Sequence, residues 1–282
     1  HLLYSDAASN NCFVRAFNRT NSLATLFGVS INPMKVSTVA GNFFAGCATF
    51  SGSGGAATNA SLRNPEGIAT DGTNLFIADS IDDCILKVDS GGLISSYIGT
   101  CGVGGYAEGP ISSAVLNDPT SILFDPAYPG TGNMFFTDQT NSGTARIRYA
   151  NFSGSAVNIA GSNVNPNSVN TIFAEAGTPR FYGLAAFGNQ LCYSSGHTNG
   201  VNGWHNVTCR DRSSGLAPVT LRVGSNQGDL MSSGGPLNFE QEGIDALQSL
   251  LNKPGGMGFD SQGDLYILER NNSLIRKVKR WY

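Results

Sequence analysis

Charge is what this sequence has least of: only 13% of its 282 residues are Asp, Glu, Lys or Arg, and the formal net charge is −3. Such a chain carries no electrostatic footprint for nucleic acid or for an anionic membrane surface. Histidine is scarce too, limited to His1, His197 and His205. There is no Cys-x-x-Cys and no Cys/His cluster, which argues against zinc, and no Gly-x-Ser-x-Gly elbow of the serine hydrolases. No apolar run approaches the roughly 18 residues that span a bilayer. The chain opens on His1-Leu-Leu-Tyr4, which reads like the middle of a strand, and shows no signal peptide. A mature or trimmed start would look the same, so the missing leader says nothing about export.

What is present points to β structure. Hydrophobic residues make up 40% of the chain, enough for a packed core, and 36 glycines with abundant Asn, Ser and Thr imply many turns. Laid on itself, the chain repeats. Leu62–Asp89, Leu116–Ala150 and Leu251–Lys279 align; Leu2–Phe17 matches their second half; Thr178–Asp211 is a weaker copy. Short β-rich runs ending at Gly41, Gly99, Gly161 and Gly224 separate the copies, with spacings of 58, 62 and 63 residues. Each unit reads as four strands. Strand a follows a proline (Pro65, Pro119, Pro179 or Pro254), strand b is typified by Leu75–Ala78, strand c by Ile85–Val88 and strand d by Leu93–Ile98. Proline suits a strand's first residue, where a missing N–H costs least. Tandem four-stranded antiparallel units predict an all-β β-propeller, with blades at 1–41, 62–99, 116–161, 178–224 and 251–282, about five in all.

The residues that recur are Pro65-Glu-Gly67 with Asp71, then Asn74-Leu-Phe-Ile-Ala-Asp79, and Ile275-Arg-Lys-Val278. The connections Gly54–Pro65 (GGAATNASLRNP) and Gly109–Pro119 (GPISSAVLNDP) recur with them. This pattern resembles the NHL repeat over nearly the whole chain; the copy at 178–211 departs most, with Tyr193-Ser-Ser195 in place of Ala-Asp. The resemblance implies a propeller that usually closes with six blades. The first unit lacks strand a and the last lacks strand d, so a single domain belonging to a longer protein is expected. Some NHL propellers bind RNA, but Arg276, Lys277, Lys279 and Arg280 read as alternating charge on a solvent-facing strand, and no nucleic acid partner is expected.

The repeat register selects a pairing for the six cysteines. Cys12 and Cys84 both read as lying just before strand c, and Cys47 and Cys101 both follow strand d. The start of c lies beside the end of d in an antiparallel pair, so Cys12–Cys47 and Cys84–Cys101 are natural bridges. Cys192–Cys209 would clamp the enlarged loop between strands b and c. Three bridges imply an oxidising compartment, hence a secreted, periplasmic or cell-surface protein; six free thiols are the alternative.

Candidate chemistry is sparse. Asp71, Asp125 and Asp260 end strand a and read as Asx turns, rather than as a ring of cation ligands. Asp6, Asp79, Asp138 and Glu269 end strand b, where a carboxylate repeated in every unit suits capping of loop amides. Asp79–Asp83 (DSIDD) resembles a calcium loop but lacks its glycine and distant glutamate. The loop 194–206 (SSGHTNGVNGWHN) is the longest of its kind and places Trp204 between Gly203 and His205. An aromatic among polar donors suits sugar or protein contact, or covers a blade edge. His197, Trp204, His205, Asp79 and Asp83 are therefore the ligand-binding candidates; no catalytic residue, metal or cofactor is assigned. The long connections 42–61, 100–115, 162–177 and 225–250 open on the same face, and 239–251 reads as a short helix. The five Asn-x-Ser/Thr sites, at Asn18, Asn59, Asn151, Asn206 and Asn271, are no more than composition would give. The expected function is an extracytoplasmic scaffold that binds protein, glycan or other chains of an assembly, not an enzyme. A metal-assisted propeller lyase or hydrolase and a fibre or sheath subunit are the alternatives.

Overall fold

A computed structural model of the protein describes residues 1–7, 11–42, 46–139, 143–176, 180–196, 205–212, 219–224, 251, 253–270 and 273–279. These residues are all-β, apart from single-turn 3-10 helices at Ala57–Asn59 and Ile111–Ser113. The expected helix at 239–251 lies outside the described residues, Leu251 excepted. The strands gather into small antiparallel sheets in the up-and-down order of propeller blades. The chain divides into two compact units, one of residues 1–124 with 167–170, the other of 125–166 with 171–282.

In the first unit the complete sheet is Pro65–Thr70 (a), Leu75–Asp79 (b), Cys84–Val88 (c) and Ile94–Ile98 (d), hydrogen-bonded in that order. Strand b is buried at every position and accordingly reads as an apolar run, Leu75 to Ala78, before its closing Asp79, whereas strand d is buried only at its two ends, Ile94 and Ile98. The sheet before it holds strands b, c and d only, at Leu2–Asp6, Phe13–Phe17 and Val36–Ala40. Strand a of the complete sheet bulges between Pro65 and Ile68. That bulge accounts for the repeated Pro-x-Gly. A Cβ on Gly67 would lie 2.6 Å from the Thr120 carbonyl oxygen, so glycine lets the following segment approach backbone to backbone. The second unit repeats the device: a Cβ on Gly183 would lie 2.2 Å from the Gly255 oxygen.

The second unit holds a four-stranded sheet of Arg180–Phe187, Gln190–Gly196, Asn206–Asp211 and Val219–Val223, and a three-stranded one of Pro254–Phe259, Leu265–Glu269 and Leu274–Val278. It also holds the hairpin Met134–Gln139 with Thr144–Asn151. Two of the carboxylates that end strand b pair with an arginine. Asp138 pairs with Arg148 at 2.7 Å, both fully buried, and Glu269 pairs with Arg276. In each case the arginine stands two residues beyond the carboxylate's cross-strand partner on strand c, the diagonal position on the same face. Asp79 caps loop amides as expected. The strand-c residue that follows the cross-strand partner of Asp6, Asp79, Asp138 or Ser195 is fully buried, at Val14, Ile85, Ile147 and Val207. Its counterpart in the last sheet, Ile275, is 71% exposed.

Two expectations need correction. The run ending at Gly161 is not strand d: Val157–Ile159 and Ser162–Val164 form a hairpin turning at Ala160-Gly161, and Ser168–Ala176 neighbours strand c. The same hairpin occurs in the first unit as Ala24–Leu26 with Val29–Ile31, turning at Phe27-Gly28. Positive φ at both turn residues, +49° and +74° in one and +56° and +81° in the other, matches the twist of a two-residue hairpin. The glycine register therefore mixes a strand end with a hairpin turn. The second correction concerns the bridges. All three form as expected, Cys12–Cys47, Cys84–Cys101 and Cys192–Cys209. Cys12 and Cys84 are nevertheless one residue out of register, since Asp6 faces Phe13 whereas Asp79 faces Cys84. Cys84 starts its strand; Cys12 precedes one.

Replacing Arg148 by Met removes the cation facing the buried Asp138 carboxylate and is expected to cost about 3–5 kcal/mol in a urea unfolding curve. Lys277→Met, at a solvent-facing pair with Asp264, is expected to leave the unfolding midpoint nearly unchanged.

Candidate functional site

The turn between strands b and c of the complete first-unit sheet, Asp79 to Asp83, collects backbone from four places in the chain. Asp79 is fully buried and accepts the amide N–H of Arg63 at 2.9 Å and of Asn64 at 2.6 Å, which fixes the entrance to strand a. Asp82, also buried, accepts the Phe50 amide from the long connection 46–61 and faces the Arg63 guanidinium at 3.5 Å. Asp83 accepts the Asp118 amide at 2.8 Å, in the segment that leads to Pro119. The peptide of the turn takes part as well: the Gly102 N–H donates to the Asp82 carbonyl at 2.7 Å. The Cys84–Cys101 bridge closes the same corner covalently. A Cβ on Gly104 would lie 2.5 Å from the Asp83 carboxylate, so the loop needs glycine there to come this close.

Ionisation follows from this packing. Burial pushes the Asp79 carboxyl up to about 6; the two amides oppose that shift, and the neighbouring Asp82 charge adds to it. Burial also raises Asp83, again against its amide donor. Above these carboxylates the loops turn apolar side chains to solvent. Ile81 is 50% exposed, Val103 51% and Tyr106 44%, with the Tyr106 hydroxyl donating to Glu108 at 2.6 Å. Ile81 and Val103 flank the Asp82–Gly102 hydrogen bond and so sit on adjoining backbone.

The sequence candidates fall out unevenly. His197 and Trp204 lie outside the described residues. His205 is buried, and its Nδ1 accepts the Lys253 amide at 3.1 Å. It occupies the same post as Asp83. Each immediately precedes strand c, and each accepts the amide of a left-handed residue before a proline, Asp118 at φ +53° or Lys253 at φ +49°. Asp79 and Asp83 thus hold the loops in place from below. Sequence reasoning missed Asp82, whose partner is 32 residues away, and Ile81, Val103 and Tyr106. The visible signal was an aliphatic residue inside an acidic turn. The Asx-turn reading is borne out: Asp71 accepts the Thr73 and Asn74 amides, Asp125 that of Ala127, and Asp260 those of Gln262 and Asp264. Asp125 additionally takes the Tyr149 hydroxyl and the Arg212 guanidinium. Among the described residues no three His, Cys, Asp or Glu side chains gather in a metal-holding group, and no helix is long and apolar enough to cross a membrane.

No protein-family profile matches the chain, and no curated protein matches it in sequence. Solved structures do, distantly. A gluconolactonase from Xanthomonas campestris is 14% identical, over 90% of this chain and 70% of that one, with a TM-score of 0.46. A PQQ-bound aldose sugar dehydrogenase from Streptomyces coelicolor is 13% identical over 77% of each chain, at 0.37. A streptogramin B lyase is 11% identical over 76% of this chain and 53% of that one, at 0.38. These likenesses concern the fold and say nothing about the chemistry of this chain.

The raised Asp79 gives a signed pH dependence. A carboxyl that binds its proton more tightly when folded stabilises the fold below its unfolded value, near 4, and loses that contribution as pH rises through about 6. Wild-type thermal stability is therefore expected to fall between about pH 4 and 7, by roughly 3 kcal/mol at most. Asp79→Asn should flatten that slope; an unchanged slope would remove Asp79 as its source.

Proposed function

We propose that this chain is an NHL-type propeller acting as a secreted or surface-displayed binding scaffold, which recognises protein or glycan through the loops around Cys84–Cys101. The single observation that supports it most is the exposure of Ile81, Val103 and Tyr106 on loops fastened by a disulfide and by buried carboxylates. Binding loops gain affinity when their geometry is set before the partner arrives, because less ordering entropy is lost on contact. Three disulfides among the described residues fit an oxidising compartment, where an exported protein meets such partners.

The test is a screen of the purified protein on glycan and protein arrays, with every positive remeasured for Ile81→Asp and Val103→Asp. Thr73→Arg, in the exposed turn at the other end of the same sheet, is the control. Each apolar-to-charged change is expected to weaken binding at least about 10-fold, the scale of a buried interface contact. The control should bind like wild type. Positives that tolerate both patch substitutions and fail with the control would place the binding surface elsewhere.

A further inference from the structure

The Asn-x-Ser/Thr sites are not equivalent, and their surroundings sort them. Asn18 is fully buried. Its Nδ2 donates both hydrogens, to the Ser22 carbonyl at 2.8 Å and the Ile31 carbonyl at 2.9 Å. Its Oδ1 accepts the Thr20 amide at 3.0 Å and the Thr20 hydroxyl at 2.7 Å. Asn151, 133 residues later, repeats the arrangement atom for atom. Its Nδ2 donates to the Ser155 and Val164 carbonyls, both at 2.9 Å, and its Oδ1 accepts the Ser153 amide and hydroxyl. Each asparagine thus pins a returning two-residue-turn hairpin to the end of strand c. The Ser/Thr two residues on is part of the brace, so the glycosylation motif arises as a by-product of an Asx turn. Asn206 is buried as well, its Oδ1 accepting from Ser195 and Thr208.

Asn59 differs. It ends the 3-10 turn Ala57–Asn59, its side chain is exposed, and the hydroxyl residue of its motif, Ser61, lies next to it on the surface connection. We propose that, of the four sites among the described residues, Asn59 is the one at which this chain accepts an N-linked glycan, and that Asn18 and Asn151 are braces a glycan would break; Asn271 lies outside the described residues. In the transfer, Nδ2 attacks C1 of a lipid-pyrophosphate-linked oligosaccharide. The new C–N bond replaces the sugar–phosphate C–O bond, the lipid pyrophosphate leaves, and one amide proton is lost. At Asn18 or Asn151 that proton is already committed to a buried carbonyl, and the sugar would occupy closed protein interior. At Asn59 the product projects into solvent.

The experiment expresses the chain through a eukaryotic secretory pathway, isolates the secreted fraction carrying all three disulfides, and maps occupied sites by enzymatic deglycosylation in heavy-oxygen water. The expected result is label at Asn59 and none at Asn18, Asn151 or Asn206. Label at Asn18 or Asn151 in folded material, or an unlabelled Asn59 there, overturns the proposal. A second arm compares Thr20→Ala/Ser153→Ala with wild type. This pair removes both motifs but keeps the asparagine donors. It is expected to raise the folded yield several-fold in the glycosylating host and not in a bacterial periplasm. An equal change of yield in the two hosts counts against it.

Discussion

Three carboxylates on one five-residue turn receive backbone amides from three separate stretches of chain, and most of the ordered loop structure in the first unit depends on that exchange. A loop that crosses a protein must dispose of its N–H groups, and buried ones left unpaired are costly. Here the chain supplies anionic acceptors for them at Asp79, Asp82 and Asp83. Hydrogen bonds to an ionised acceptor are stronger than neutral ones. The carboxylates gain too, since a buried charge needs such donors to be tolerated at all. Among the described residues, Arg63 is the cation paired with Asp82, and much of the compensation for the turn comes from backbone dipoles.

The second unit solves the same problem with different chemistry. His205 takes the place of Asp83 and accepts the amide before Pro254 with an imidazole nitrogen. What the repeat conserves between the two units is a geometric post, an acceptor just ahead of strand c, and the residue type filling it varies. The carboxylate ending strand b accepts loop amides at Asp79 and pairs with an arginine at Asp138 and Glu269.

Much of the architecture could be read from the sequence because its signals are local or periodic. Prolines at strand starts and aspartates that hydrogen-bond a few residues ahead declare themselves within a short window. The disulfide pairs followed from the register even though Cys12 and Cys84 are offset by one residue. Long-range facts were illegible. Nothing near Asp82 indicates Phe50, and nothing near His205 indicates Lys253. Gly161 misled because a glycine after a short apolar run marks a hairpin turn as readily as a strand end. The asparagine braces were hidden by their own motif, which reads as a chance glycosylation signal until the burial of Asn18 and Asn151 is seen.

The central claim is that the Asp79–Asp83 turn is what holds the neighbouring loops. Amide hydrogen exchange followed residue by residue tests it most directly, in wild type and in Asp82→Ala and Asp83→Ala. Each substitution should speed exchange selectively at its own tenant, Phe50 for Asp82 and Asp118 for Asp83, while Leu75–Asp79 and Cys84–Val88 stay protected. Exchange at Phe50 and Asp118 that is indifferent to both substitutions would contradict the account.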